Sequence, residues 1–294
     1  MTGMRNTSPL LFTLLVLSLS VAVCQTEAPE KRPGGIGRPG PVLQSACRIN
    51  SYGAFQEAAW NHLPQIGVKH IFLNVPPEEE VESIKKRLAK HGLSVIVMRG
   101  DTDLSQESSL QELEAQLAIC RDMGVAYMFL SPKRHGAAKE VVYGRLREAG
   151  EIAQKYGVTI VLETHPDLGT NGDVHLETMR QIDHPNVRVN FDTGNIHFYN
   201  QGTDAPTELR KIIEYVATVE IKDHNGIYHD WNFPPLGQGV VNIPEVLNIL
   251  REHDYDGPVT MEIEGIEGIE WDEETTKQAI EDSVIYLRSL GRFD

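Results

Sequence analysis

Three cysteines are too few to organise a chain of 294 residues by cross-links, so a disulfide scaffold is excluded. Positive charge is also scarce. Lysine and arginine number 27 against 42 aspartates and glutamates, and the net charge of −15 repels phosphate backbones, which excludes broad electrostatic binding of nucleic acid. Beyond the first ~25 residues no apolar run approaches the ~20 residues that a helical membrane span needs. Glycine (25) and proline (16) are not abundant enough for a disordered chain, and 40% hydrophobic residues suffice for a real core in one large domain or two small ones. No Walker A pattern occurs.

The N-terminus reads as an export signal. Arg5 supplies a positive start, residues 10–23 an apolar stretch too short to span, and Ala22-Val23-Cys24 a small-residue cleavage pattern. Residues 1–24 are therefore set aside, and the protein is expected to be periplasmic or secreted. Lipid attachment at Cys24 is a minor alternative, because Val23 stands where a small residue is usual. Residues 25–41 hold Pro29, Pro33, Gly34, Gly35, Gly37, Pro39 and Gly40 and read as a flexible linker to a domain at 42–294. Cys47 and Cys120 remain, as a pair or as two buried thiols.

From residue 42 onward, short β-branched runs alternate with amphipathic stretches. The strands are expected at 42–47, 69–75, 93–99, 126–131, 159–163, 188–192, 217–222 and 259–264. The helices are expected near 53–64, 78–91, 106–122, 137–156, 174–182, 205–215, 243–253 and 273–290. Gly-Val or Gly-Leu pairs at 67, 92, 124 and 157 mark helix ends before the next strand. Eight such units over about 250 residues fit a single (β/α)8 TIM barrel. An open doubly wound sheet would carry a glycine-rich phosphate loop after its first strand, and Arg48-Ile49-Asn50-Ser51-Tyr52-Gly53 is not one.

In such a barrel the active site lies at the C-terminal ends of the strands. The last four expected strands each place an acidic residue there: Glu163, Asp192, Glu220 and Glu262. Four carboxylates converging on one mouth repel one another unless a cation joins them. Oxygen donors in that number fit Mg²⁺ or Mn²⁺, and nearby histidines leave Zn²⁺ or Co²⁺ open.

The segments Leu-Glu-Thr-His, Asn-Phe-Asp-Thr-Gly-Asn, Glu-Ile-Lys-Asp, Leu-Gly-Gln-Gly-Val-Val-Asn-Ile and Asp-Gly-Pro-Val-Thr-Met-Glu-Ile-Glu, in this order, resemble the sugar phosphate isomerase/epimerase branch of the xylose-isomerase-like TIM barrels. That superfamily includes inosose dehydratase, hydroxypyruvate isomerase, ketose 3-epimerases and the abasic-site endonuclease. The resemblance implies one divalent metal ion held by Glu163, Asp192, Glu220 and Glu262, with Glu163 and Glu262 also acting as general acid and base. It departs at Glu220, where relatives commonly carry histidine. A carboxylate there makes the site harder and more negative, which favours Mg²⁺ or Mn²⁺, or else marks a weakened site; His224 is a substitute ligand.

His165, Asn195, His197 and Lys222 are the candidate substrate-binding residues. His165 and Lys222 share a side with Glu163 and Glu220 by strand alternation, and Glu264 shares the side of Glu262 as a fallback ligand. Lys133, Arg134 and His135 form either an anion contact or a solvated turn, and Trp231 and Phe233 are candidate pocket walls. The expected activity is a metal-dependent isomerisation or epimerisation of a sugar or polyol, by proton abstraction next to a carbonyl. A lyase or dehydratase on a keto-sugar or keto-glycoside is the runner-up. A non-catalytic sugar-binding protein with a decayed metal site is a third reading, and an abasic-site endonuclease is opposed by the charge. The expected partner is a small-molecule sugar, with no nucleic acid and no integral membrane association.

Overall fold

The computed structural model describes residues 42–291 and 293–294; the expected export signal and linker lie outside the described residues. Eight parallel strands close into one barrel in chain order: β1 Ser45–Arg48, β2 His70–Asn74, β3 Ser94–Arg99, β4 Tyr127–Leu130, β5 Thr159–Glu163, β6 Val187–Asp192, β7 Val216–Ile221 and β8 Val259–Met261. The ring closes where Cys47 of β1 lies beside Met261 of β8. Among the described residues no helix is long and apolar enough to cross a membrane.

Nine helices surround the barrel in the described residues: α1 Gln56–Gln65, α2 Val81–His91, α3 Ser109–Asp122, α4 Lys139–Tyr156, α5 Gly172–Ile182, α6 Thr193–Tyr199, α7 Ala205–Ile212, α8 Ile243–Glu252 and α9 Glu273–Leu290. Gly92 and Gly157 end α2 and α4 in the left-handed conformation that glycine adopts without a Cβ penalty. Outward-facing strand residues such as Ile160, Leu162 and Val189 join the helices in the main core. Cys47 and Cys120 are buried free thiols within it.

Among the strands, two expected boundaries shift by about three residues and the others by about one at most, which puts Lys222 just past β7. The first strand begins at Ser45 rather than at residue 42, because Leu43 instead bridges to Phe293 at the chain end. The last strand stops at Met261, so Glu262 and Glu264 stand on the segment leaving the barrel rim, although the Glu262 N–H still donates to the Ile221 carbonyl at 3.1 Å. One helix, α6, was not anticipated. It starts where Asp192 Oδ1 accepts the Asn195 N–H at 2.9 Å, an aspartate N-cap.

The barrel interior has two unlike halves. Under β2 to β5 it is filled by Phe72, Val97, Phe129 and Val161. Under β6 to β8 it is polar: Thr218 donates to Asn190 Oδ1 at 2.6 Å, and Thr260 is fully buried. The register sets Asp192 level with Glu220 and Glu163 level with Asn190, which brings the acidic strand ends to the rim of the polar half.

Candidate active site

Asp192, Glu220 and Glu262 are buried, and each offers a carboxylate oxygen within 4.8 Å of the other two. Glu163 stands beside this triad rather than in it, accepting from Ser131 Oγ on β4's exit and from Asn195 Nδ2 at 3.5 Å. Two cations of the chain itself reach into the acidic ring. Arg48, the last residue of β1, meets Glu220 at 3.2 Å and Glu262 at 2.5 Å. Its guanidinium lies 4.7 Å from the Phe72 ring centre and 5.1 Å from that of Phe129, so it rests on the apolar half while pairing with the polar one. Lys222 Nζ lies 3.0 Å from Glu262, 3.7 Å from Asp192 and against Glu264, with Asn195 Oδ1 at 3.2 Å.

The local sequence explains the fit around Lys222. The Thr193 hydroxyl donates to the Lys222 carbonyl and accepts its N–H, at 2.8 and 2.9 Å. A Cβ on Gly194 would press on Lys222 Cγ at 2.8 Å, so only glycine lets the lysine stem pass. Asn195 then bridges Lys222, Glu163 and the Thr164 carbonyl. The run Asp-Thr-Gly-Asn is thus a cradle for one lysine.

Charge is unevenly distributed. Burial pushes the Asp192 carboxyl up to about 7, against the pull of Lys222. Burial and the adjacent Glu262 push Glu220 well above the ordinary carboxylate range, with Arg48 opposing them. Burial also works against the Glu262 charge, but Arg48 and Lys222 outweigh it and hold this carboxyl below its usual range. Of the three, Glu262 is the carboxyl whose charge the surroundings favour, between two cations.

The all-oxygen triad fits a hard divalent cation. Asp192 Oδ2 supports that fit: it is buried and accepts no hydrogen bond among the described residues, only the Lys222 charge at 3.7 Å. The triad is thus a candidate divalent-metal site, shared with two resident cations.

A cavity of about 190 Å³ opens above the ring, and Glu163, Glu262, Lys222, His165 and Asn195 all line it. Trp231, Phe233, Glu264 and Lys133 line it as well. Arg134 instead pairs with Asp167 at 2.9 Å, and His135 does not border the cavity. His197 is also outside it: its ring stacks on His224 with 6.4 Å between centres. His224 does not replace the missing histidine ligand. Its Nε2 lies 2.9 Å from the Asp230 carbonyl and its Nδ1 accepts the Gly226 N–H at 3.0 Å, which commits both nitrogens to the loop. Arg48 was missed by sequence reasoning. The available signal was an arginine at a strand end in a barrel whose other ends are acidic.

One buried carboxylate shapes the cavity wall. Asp223 accepts N–H groups from His224, Gly237, Gly239 and Val241 at 2.9 to 3.1 Å, drawing together the ends of the long loop at residues 225–239. Within that loop Asn232–Phe233 pairs antiparallel with Gly265–Ile266, which sets Trp231 and Phe233 over the barrel mouth.

Residues 55–290 match the family model of the xylose isomerase-like TIM barrel. Among solved structures, D-psicose 3-epimerase with D-tagatose from Clostridium cellulolyticum H10 superposes with a TM-score of 0.69 at 14% identity, over 84% of this chain and 99% of that one. The IolI protein with a bound zinc atom superposes at 0.68 and 18% identity, over 84% and 98%. Among curated proteins, 3-dehydroshikimate dehydratase from Bacillus anthracis is 24% identical over 127 residues, 38% of this chain and 45% of that protein. The chain spans about half the length of the first curated relatives it matches.

Proposed function

Because this chain belongs to the xylose isomerase-like TIM barrel family, we propose that it is a sugar isomerase or epimerase that moves a proton next to a carbonyl. The observation that carries this reading is the joint exposure of Glu163 and Glu262 to one cavity, with the Lys222 ammonium beside them. Two carboxylates so placed remove a proton from a bound sugar and return it. Return to the neighbouring carbon isomerises the sugar; return to the opposite face epimerises it. Glu262 is held ionised by Arg48 and Lys222 and is the ready acceptor. Glu163, steadied by Ser131 and Asn195, is its counterpart. Lys222 and Asn195 face the position where a substrate oxygen gathers negative charge, and they stabilise it there. A divalent ion held by Asp192, Glu220 and Glu262 would polarise the substrate's carbonyl and hydroxyl oxygens.

The expected export signal favours sugars without phosphate, since phosphorylated metabolites are mainly cytoplasmic. The test is solvent exchange. With Mn²⁺ or Mg²⁺ present, incubation of D-fructose, D-psicose or D-tagatose with the protein in D₂O places deuterium on the carbon beside the carbonyl. Glu163→Gln and Glu262→Gln each lower that rate by ~100-fold or more. Absence of exchange with every ketose overturns the proposal. Similarity to a dehydratase keeps elimination as the second reading, and it is recognised in the same tubes by an unsaturated product absorbing in the ultraviolet.

A further inference from the structure

A groove of about 590 Å³ adjoins the 190 Å³ cavity at the barrel mouth, between the 3₁₀ turn after β1 (Ile49–Phe55) and the segment after β8. The two spaces share two wall residues, Trp231 and Glu264. Sites that enclose a drug-sized ligand measure ~300–1,000 Å³, so the inner cavity has room for little more than one sugar ring, while the groove accommodates a larger group. A molecule longer than one ring, with its reacting ring at Glu163 and Glu262, has its way out past Trp231 into the groove.

The groove's chemistry narrows the occupant. Trp231 and Ile269 are 41% and 55% exposed, and with half-buried Trp271 they give the groove an apolar side. Glu264, Glu267 and Glu270 supply carboxylate acceptors along the same walls. No lysine, arginine or histidine lines it among the described residues, so an anionic occupant is repelled and unpaired. The carboxylates equally disfavour a purely apolar guest. A neutral sugar matches both features, with its C–H face on the aromatic rings and its hydroxyls on the carboxylates. A cationic guest would match the carboxylates too, but its binding weakens steeply with salt, whereas that of a neutral sugar does not. The wall is also anchored: the Glu267 N–H donates to the Trp231 carbonyl at 2.8 Å, and the Trp231 segment pairs with Gly265–Ile266.

We infer that the groove is a second sugar subsite and that the substrate is a glycoside of at least two neutral units, with the reacting unit in the inner cavity. This inference rests on the proposed function for the identity of the inner site. The probes are D-glucose, D-fructose, cellobiose, maltose and the ketose-ended disaccharides maltulose and isomaltulose, titrated calorimetrically against the full-length protein. At least one disaccharide binds ten-fold or more tightly than either of its monosaccharides, and Trp271→Ala moves that ratio towards one. Ile269→Asp, at an exposed position, provides a second variant if Trp271→Ala does not fold. No disaccharide advantage, or an advantage unchanged in a folded groove variant, overturns the inference. Deuterium exchange into ketoses without a disaccharide advantage refutes the groove alone; a disaccharide advantage without exchange refutes the proton-transfer reading alone.

Discussion

Removing Lys222 should improve metal binding. Its ammonium already contacts two of the three triad carboxylates, at 3.0 Å from Glu262 and 3.7 Å from Asp192, so an arriving cation competes with it for the same oxygens. Two unit charges ~4 Å apart in a protein site repel by about 4 kcal/mol, which doubles for a divalent ion. Part of that repulsion is relieved in the parent, because Glu264 also holds the ammonium and is not one of the triad carboxylates. Proton uptake by the uncompensated carboxylates offsets a further part in the variant, since burial already raises Asp192 and Glu220. A remainder of about 1.4–3 kcal/mol corresponds to roughly 10- to 100-fold tighter binding. The measurement is the free Mn²⁺ signal in electron paramagnetic resonance titrations of parent and Lys222→Met at pH 8, with circular dichroism as the folding control. The gain narrows as pH falls and protons compete for Asp192 and Glu220. Equal or weaker Mn²⁺ binding by a folded variant refutes the argument that lysine and metal share these oxygens.

Two further predictions concern stability. Arg48→Met strips a buried cation from both Glu220 and Glu262 and should cost about 3–5 kcal/mol in urea unfolding, whereas Arg48→Met combined with Glu220→Met should recover part of the loss, with Lys222 still on Glu262; additive losses would show that Arg48 and Glu220 are not a coupled unit. His175 is fully buried, and burial lowers its pKa from 6.5 to about 3, so the unfolded chain binds the extra proton between those values. Stability from this group is complete above pH 6.5 and falls by ~1.4 kcal/mol per unit as pH drops towards 3. Between pH 7.5 and 5 the parent should therefore lose about 2 kcal/mol more than a folded His175→Gln variant, and parallel pH profiles would contradict the assignment.

The barrel was legible because each strand and each helix writes its own period into the chain, and the glycines at 92 and 157 mark where one gives way to the other. The acidic rim was legible for the same reason, since strand ends are local features. What was not legible depends on closure. Arg48 looks like any arginine after a short strand until β1 docks beside β8 and carries it against Glu262. Helix α6 is too short to show periodicity, and its start is written in one aspartate cap. Strand alternation places His165 on the side of Glu163, and it borders the cavity; no such rule fixes His197, whose position on α6 turns it against His224.

The two oxygens of Asp192 lead separate lives. Oδ1 begins α6, whose far end carries Phe198 and Tyr199 into the cavity wall, while Oδ2 faces the cations. Under the proposed function, an ion at the triad and a sugar in the cavity would act on opposite sides of this one carboxylate. Whatever free energy a bound ion lends to sugar affinity through that carboxylate, the sugar returns to the ion in equal measure. Loss of the carboxylate at this position would therefore disconnect two ligands from each other as well as weaken the binding of either.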